Sequence, residues 1–171
     1  KSQTKNPSMK SSFLSEKYSD VTFKVGDESI PAHKVILGMC SKYFDELFSK
    51  NQSNVIEIND AKPEAFKAIL EFLYCNEVSL YEELAADLLV LAPRFGLDVL
   101  AIGAEDFLTK IISYDNYVRM IEMSERIGSK SLRKKVFAFV IKNMKMISKR
   151  EDFEELSRPL LMELLDNAVA V

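Results

Sequence analysis

The sequence predicts a mixed α/β domain to about Ile112, followed by an all-α region to the C-terminus. Three observations carry this. "DVTFKV" and "NVIEIND" alternate apolar with polar residues, the period-two signature of a half-buried strand. Phe66, Ile69, Leu70 and Leu73 recur at i, i+3, i+4 and i+7, the stripe of an amphipathic helix. Strand signals vanish after "LDVLAIGAEDFLTKII", while Leu132, Val136, Phe139 and Val140 keep helical spacing.

The elements follow in order. Residues 1–12 are polar, with Pro7 and several Ser and Lys, and are expected to form a flexible lead-in. Val21, Phe23 and Val25 face one way in a first strand. "GDES" makes a turn, and "SIPAHK" returns as the second strand of a hairpin. "HKVILGMC" and "SKYFDELF" read as two short helices meeting near Ser41, an expected N-cap. A third strand is expected over Val55 to Ile58. Pro63 then opens the helix of Phe66 and Leu73, proline being favoured at a first helical position. "LYEELAADLLVLAPRFG" is a further helix that Pro93 interrupts and Gly96 ends. Beyond an N-cap-like Ser113, helices are expected over Asp115–Ile127, Ser131–Met144, Phe153–Leu156 and Leu160–Leu165.

Composition narrows the function classes. The chain has 171 residues, of which 29% are charged and 47% hydrophobic, with a net charge of −3. That is the balance of a globular protein without an overall basic field, so neither nucleic acid nor a membrane surface is an expected partner. No apolar run approaches the ~18 residues of a spanning helix. The first residue is not Met and no signal peptide opens the chain, so it reads as part of a longer protein. Charge is segregated: residues 57–106 are rich in Asp and Glu, whereas Lys130 to Arg150 carries basic residues and no acidic one. The basic stretch reads first as a solvated helix face and second as a docking patch for an acidic partner.

The single histidine, His33, lies seven residues before Cys40. A zinc site needs three or four ligands, and one His with one Cys does not supply them. A Cys–His nucleophile pair would need an activated thiol, but Cys40 and Cys75 sit in apolar runs, where burial raises the thiol pKa. The few glycines are scattered, with no phosphate-binding loop. No catalytic residue, metal or cofactor is expected, and the two thiols suit a reducing compartment, cytoplasmic or nuclear.

"YSDVTFKVGDESIPAHKVILGMCSKYFDELF" resembles the start of a BTB/POZ domain, through Asp20, Val21, Ala32, His33, Lys34, Leu37, Ser41 and Phe44. "IEINDAKPEAFKAILEFLYCNEV" is similar to that family's next strand and helix, with Cys75 and Asn76 replacing its Thr-Gly turn. "LLVLAPRFGLDVL" resembles a later family helix, with Phe95 for a Tyr. The helical tail resembles the BACK region that often follows BTB, and "VIEINDAKPEAFKAILEFLY" looks nearest to the speckle-type MATH–BTB adaptors. The resemblance implies a small mixed sheet flanked by helices over residues 13–112 and a BACK-like helical extension over 113–171.

The resemblance also implies a role for particular residues. His33 would open a helix buried against the sheet. A homodimer would use Met9, Phe13, Leu14, Ile36 and Met39, the alternative being that Phe13 and Leu14 cap the chain's own core. Asp20 and Lys34 would form a buried charged pocket. A cullin-3 contact would use Tyr43, Asp45, Phe48, Lys50 and Gln52, with Tyr114 and Tyr117 from the BACK region. The family's hydrophobic-x-Glu loop motif is missing from "SKNQSN", Ser49 to Asn54. Two functions follow: a dimeric substrate adaptor of a cullin-3 RING ubiquitin ligase, with weak cullin binding and substrate held by a domain outside this sequence, or a dimerising scaffold that binds no cullin.

Overall fold

The computed structural model describes residues 7–169. It divides into two compact units, one ending at Ala104 and the other beginning at Glu105. The division falls within a helix, Asp98–Lys110.

The first unit is built on strands β1 (Val21–Val25), β2 (Glu28–Ala32) and β3 (Val55–Glu57) in the order β2-β1-β3. β1 pairs antiparallel with β2, Phe23 opposite Ile30, and parallel with β3, Phe23 opposite Ile56. The hairpin turns through Gly26 at φ 57, where a side chain would be strained. A parallel partner needs a crossover; here it carries helices α2 (Lys34–Cys40) and α3 (Lys42–Lys50). Helix α1 (Pro7–Ser12) precedes the sheet. Helices α4 (Pro63–Cys75), α5 (Glu82–Leu91) and α6 (Asp98–Lys110) follow it, with a 3-10 turn at Ala92–Phe95 where Pro93 stops α5.

The alternation of β1 buries Val21, Phe23 and Val25 on the core side. Phe23 meets Phe66 edge-on at 5.0 Å and Phe44 at 5.7 Å, and Phe95 stacks on Phe44 at 5.6 Å. These fully or nearly fully buried rings tie sheet, α3, α4 and the 3-10 turn together. Asn76 ends α4 in the left-handed region at φ 55, its N–H bonded to the Phe72 carbonyl. The Cys-Asn pair thus places asparagine where the left-handed cap falls, a position it tolerates better than most residues.

Three local expectations are corrected. The lead-in is not wholly flexible, because Pro7–Ser12 form α1, which packs on α4; residues 1–6 lie outside the described residues. Ser41 occupies the N-cap of α3 without capping it, since its Oγ donates to the Phe95 carbonyl at 2.9 Å. Ser113 is not at the N-cap of the helix that follows: Asn116 occupies that position, also without capping it, since its Oδ1 accepts the upstream Ser113 N–H at 2.7 Å.

The second unit is helical: α7 (Tyr117–Arg126), α8 (Lys130–Lys142), α9 (Met144–Ile147), α10 (Glu151–Glu154) and α11 (Arg158–Val169). Ser129 caps α8 by accepting the Leu132 N–H. Tyr117, Met120, Ile121, Leu132, Val136, Phe137 and Val140 are buried.

Three carboxylates stitch this unit together. Glu105 accepts from Lys135 at 2.6 Å and from Ser131 at 2.7 Å. Glu163 takes a bidentate grip from Arg133, at 2.8 and 2.5 Å. Asp152 accepts from the Tyr117 hydroxyl at 2.8 Å and faces Arg150. Burial opposes the ionisation of Glu105, but the Lys135 and Ser131 hydrogen bonds outweigh it and hold its pKa low. The Arg133 hydrogen bond lowers that of Glu163. For Asp152 burial again pushes up, and Arg150 with Tyr117 brings the balance down. A carboxylate whose folded pKa is depressed stabilises the fold above its unfolded pKa and loses that contribution as pH falls through the folded value. The second unit is therefore expected to melt at progressively lower temperature as pH drops from about 5 to about 3, with little change between about 7 and 5. Calorimetry across that range checks it; a flat acid limb would show that these contacts contribute nothing.

Candidate protein-interaction surfaces

His33 is nearly buried at the N-terminus of α2. Its Nε2 lies 2.9 Å from the Lys17 carbonyl oxygen, which can only accept, so Nε2 carries the proton. Nδ1 then accepts the Tyr74 O–H at 2.7 Å, and the Tyr74 oxygen in turn accepts the His33 backbone N–H at 2.9 Å. Burial pushes the Tyr74 hydroxyl up to about 12, so it stays a donor. Both ring nitrogens are engaged in holding the segment before β1 and the end of α4 to α2. Neither Cys40 nor Cys75 forms a disulfide among the described residues; Cys40 is exposed rather than enclosed, although partial burial still raises its pKa.

Asp20 and Lys34 do not form the expected buried charged pocket. Asp20 is exposed, and its Oδ1 accepts the Lys34 backbone N–H at 2.7 Å. It satisfies one of the orphan donors at the start of α2, where the helix dipole also favours a carboxylate. The Lys34 ammonium turns the other way, to Asn54 Oδ1 at 2.9 Å and over the Phe48 ring at 5.9 Å. Leaving both charges near water avoids the desolvation that a buried pair would incur.

The dimer candidates separate into two groups. Phe13 is half-buried and leans on Tyr74 at 5.9 Å, so it covers the chain's own core. Met9 and Ile36 are also half-buried. Leu14 is exposed in a left-handed conformation, φ 54, and Met39 is 84% exposed. Tyr18 and Val35, which the sequence reading did not single out, are exposed as well.

Among the cullin candidates, Asp45, Lys50 and Gln52 are exposed. Lys50 pairs at 3.6 Å with Glu46. Tyr43 is partly exposed, with its ring against Phe95 at 4.9 Å. Phe48 is half-buried on Phe44. Tyr114 is partly exposed, and its hydroxyl donates to Asn143. Tyr117 is corrected: it is fully buried, because it shares a helical stripe with Met120, Ile121 and Ser124, and its hydroxyl is committed to Asp152. In the 49–54 loop, Ser53 accepts the Val55 N–H and donates to the Val55 carbonyl. Val55 itself is 47% exposed, an apolar side chain directly after a loop that has none.

The structure joins candidates that the sequence kept apart. A shallow groove of about 510 Å³ between α2 and α3 is lined by Lys34, Val35, Gly38, Met39, Asp45 and Phe48. A Cβ at Gly38 would lie 3.7 Å from Asp45 Cα, an ordinary van der Waals contact, so a small side chain would fit there.

A family model described as BTB/POZ domain matches residues 9–112, and one described as BTB And C-terminal Kelch matches residues 117–168. Kelch-like protein 41 of Homo sapiens is 27% identical over 156 residues, covering 89% of this chain and 26% of that protein. Armadillo BTB Arabidopsis protein 1 of Arabidopsis thaliana is 28% identical over 162 residues, covering 89% of this chain and 22% of that protein. The chain thus spans about a quarter of the length of such relatives. These relatives support the BTB and BACK assignment and are not specifically speckle-type MATH–BTB adaptors. Among solved structures, the BTB domain of zebrafish PATZ1 matches with a TM-score of 0.50 at 26% identity, covering 64% of this chain and 99% of that one. The BTB domain of human gigaxonin matches with a TM-score of 0.52 at 23% identity, covering 63% and 97%, a likeness of fold.

Proposed function

The chain belongs to the BTB/POZ family, and from that premise we propose that it is the BTB–BACK part of a dimeric substrate adaptor for a cullin-3 ubiquitin ligase. The observation that carries this is the BACK match directly after the BTB match, an arrangement shared with Kelch-like relatives. Its role is to join proteins, with no chemical step of its own. No helix among the described residues is long and apolar enough to cross a membrane. Function in the cytoplasm or nucleus follows as part of the proposal.

In this reading α3 offers Tyr43, Asp45 and Phe48 to the cullin, with Lys50 and Gln52 beside them and Tyr114 adding a contact from the BACK region. Interface energy concentrates in a few anchors of about 2 kcal/mol or more each. The 49–54 loop lacks the usual apolar and carboxylate anchors, and the loss of one such anchor weakens binding roughly thirtyfold. The expected result is measurable but weak binding. Calorimetric titration of the whole chain with the N-terminal helices of cullin-3, beside a motif-bearing BTB–BACK protein, reads the difference. Equal affinity would refute the anchor argument. No binding would favour the scaffold reading, which the polar, self-bonded loop supports.

Self-association in the proposal rests on Leu14 and Met39 more than on Phe13, which is occupied by Tyr74. Sedimentation at micromolar concentration is expected to show a dimer that Met39→Asp shifts to monomer. A monomeric parent chain would contradict it.

A further inference from the structure

We propose that the second unit carries a docking groove for a short basic amphipathic helix of a partner protein. The groove encloses about 530 Å³ between α7 and the α10–α11 segment, away from the α2–α3 groove in sequence and composition. On α7 it is walled by Val118, Ile121, Glu122 and Glu125, spaced i, i+3, i+4 and i+7, so one whole helix face lines it. That wall runs about 10 Å, or two helical turns.

The lining has two parts. Val118, Ile121, Leu156 and Leu160 make an apolar floor. Glu122, Glu125, Asp152, Glu155 and Glu163 contribute five carboxylates, against the single guanidinium of Arg133. That cation is already committed. It is 19% exposed, grips Glu163 through two nitrogens and lies 3.6 Å from Glu125. Glu163 is taken up by Arg133 and Asp152 by Arg150, so Glu122, Glu125 and Glu155 are the carboxylates that leave the rim facing an incoming ligand negative. Carboxylates spread around an apolar floor suit a segment with apolar side chains on one face and Lys or Arg on its flanks. A compact metal ion would need the acids gathered, and among the described residues no group of three potential ligands comes together.

The alternative occupant is a second copy of this chain. The basic face of α8 carries Lys130 and Lys134, which could meet the same rim. The partner helix is favoured because a groove two turns long accepts an isolated helical segment, whereas α8 presents its basic face as part of a packed unit.

The test uses the full chain and a fluorescein-labelled, amidated peptide of about three helical turns, with leucines at i, i+3, i+4 and i+7 and lysines elsewhere. Anisotropy at low salt is expected to show saturable binding. Glu122→Lys/Glu155→Lys should weaken it at least tenfold. These residues are exposed, so the Arg133–Glu163 and Tyr117–Asp152 contacts remain, and circular dichroism confirms the fold. Glu83→Lys/Asp98→Lys, an equal charge change on exposed residues of the first unit, should leave binding within twofold. A peptide with its leucines replaced by serine should bind at least tenfold more weakly. The proposal is overturned if the parent chain does not bind the peptide. It is overturned equally if both double variants weaken it alike, if the serine peptide binds as well, or if Glu122→Lys/Glu155→Lys abolishes self-association in sedimentation while peptide affinity is unchanged.

Discussion

Phe23→Ala is expected to cost about 3–5 kcal/mol, the range for truncating a buried phenylalanine. Phe23 sits on the central strand, fully buried, within ring contact of Phe44, Phe48 and Phe66. Its removal leaves a cavity shared by the sheet, α3 and α4, and the backbone ladders on both sides of β1 limit collapse around it. Against a total stability of about 5–15 kcal/mol, the loss is a large fraction. Urea denaturation of the first unit's transition measures it, with Met162→Ala, on an exposed position of the second unit, as the control expected to change little. A loss below about 1.5 kcal/mol would mean that the aromatic cluster is not the anchor of this core.

His33→Ala is expected to cost about 2–4 kcal/mol, because it strands the Lys17 carbonyl and removes the acceptor of the Tyr74 hydroxyl. Tyr74→Phe strands two groups on His33 instead, the ring nitrogen and the backbone N–H. The two residues share one network, so the double variant should cost less than the sum of the singles, with a coupling of about 1 kcal/mol or more. Denaturant melts of the four proteins close this cycle. Strict additivity would show that the His33–Tyr74 contact contributes nothing to stability.

Much of the fold was legible because its signals are local. The alternation in β1 survives into Val21, Phe23 and Val25 as buried residues, and Pro63 and Asn76 bound α4 by backbone preference alone. The surfaces were less legible, for identifiable reasons. Asp20 reads as a pocket charge until the fold brings it to the amide of Lys34, fourteen residues on, a contact without sequence periodicity. Tyr117 was readable after all. Tyr117, Met120, Ile121 and Ser124 make a helical stripe that marks it as interior, a local pattern that outweighs the resemblance to BACK-region contact residues. The acidic groove was out of reach, since its carboxylates come from separate helices and only the tertiary fold collects them.

β2 forms one edge of the sheet and contains Pro31, opposite Thr22. The Thr22 N–H donates to the Asn54 carbonyl at 2.8 Å, on the other side of β1. Thr22 and Pro31 therefore turn their backbone groups away from each other, and the donor that proline lacks would have pointed off the sheet. The outer row of amides is interrupted at its centre without any loss to the β1 ladder. Another extended chain arriving at that border cannot complete a continuous set of rungs, which protects the sheet from growing into aggregates. Association of this chain with itself or with other proteins is thereby steered away from strand addition at β2, toward contacts made by helix side chains.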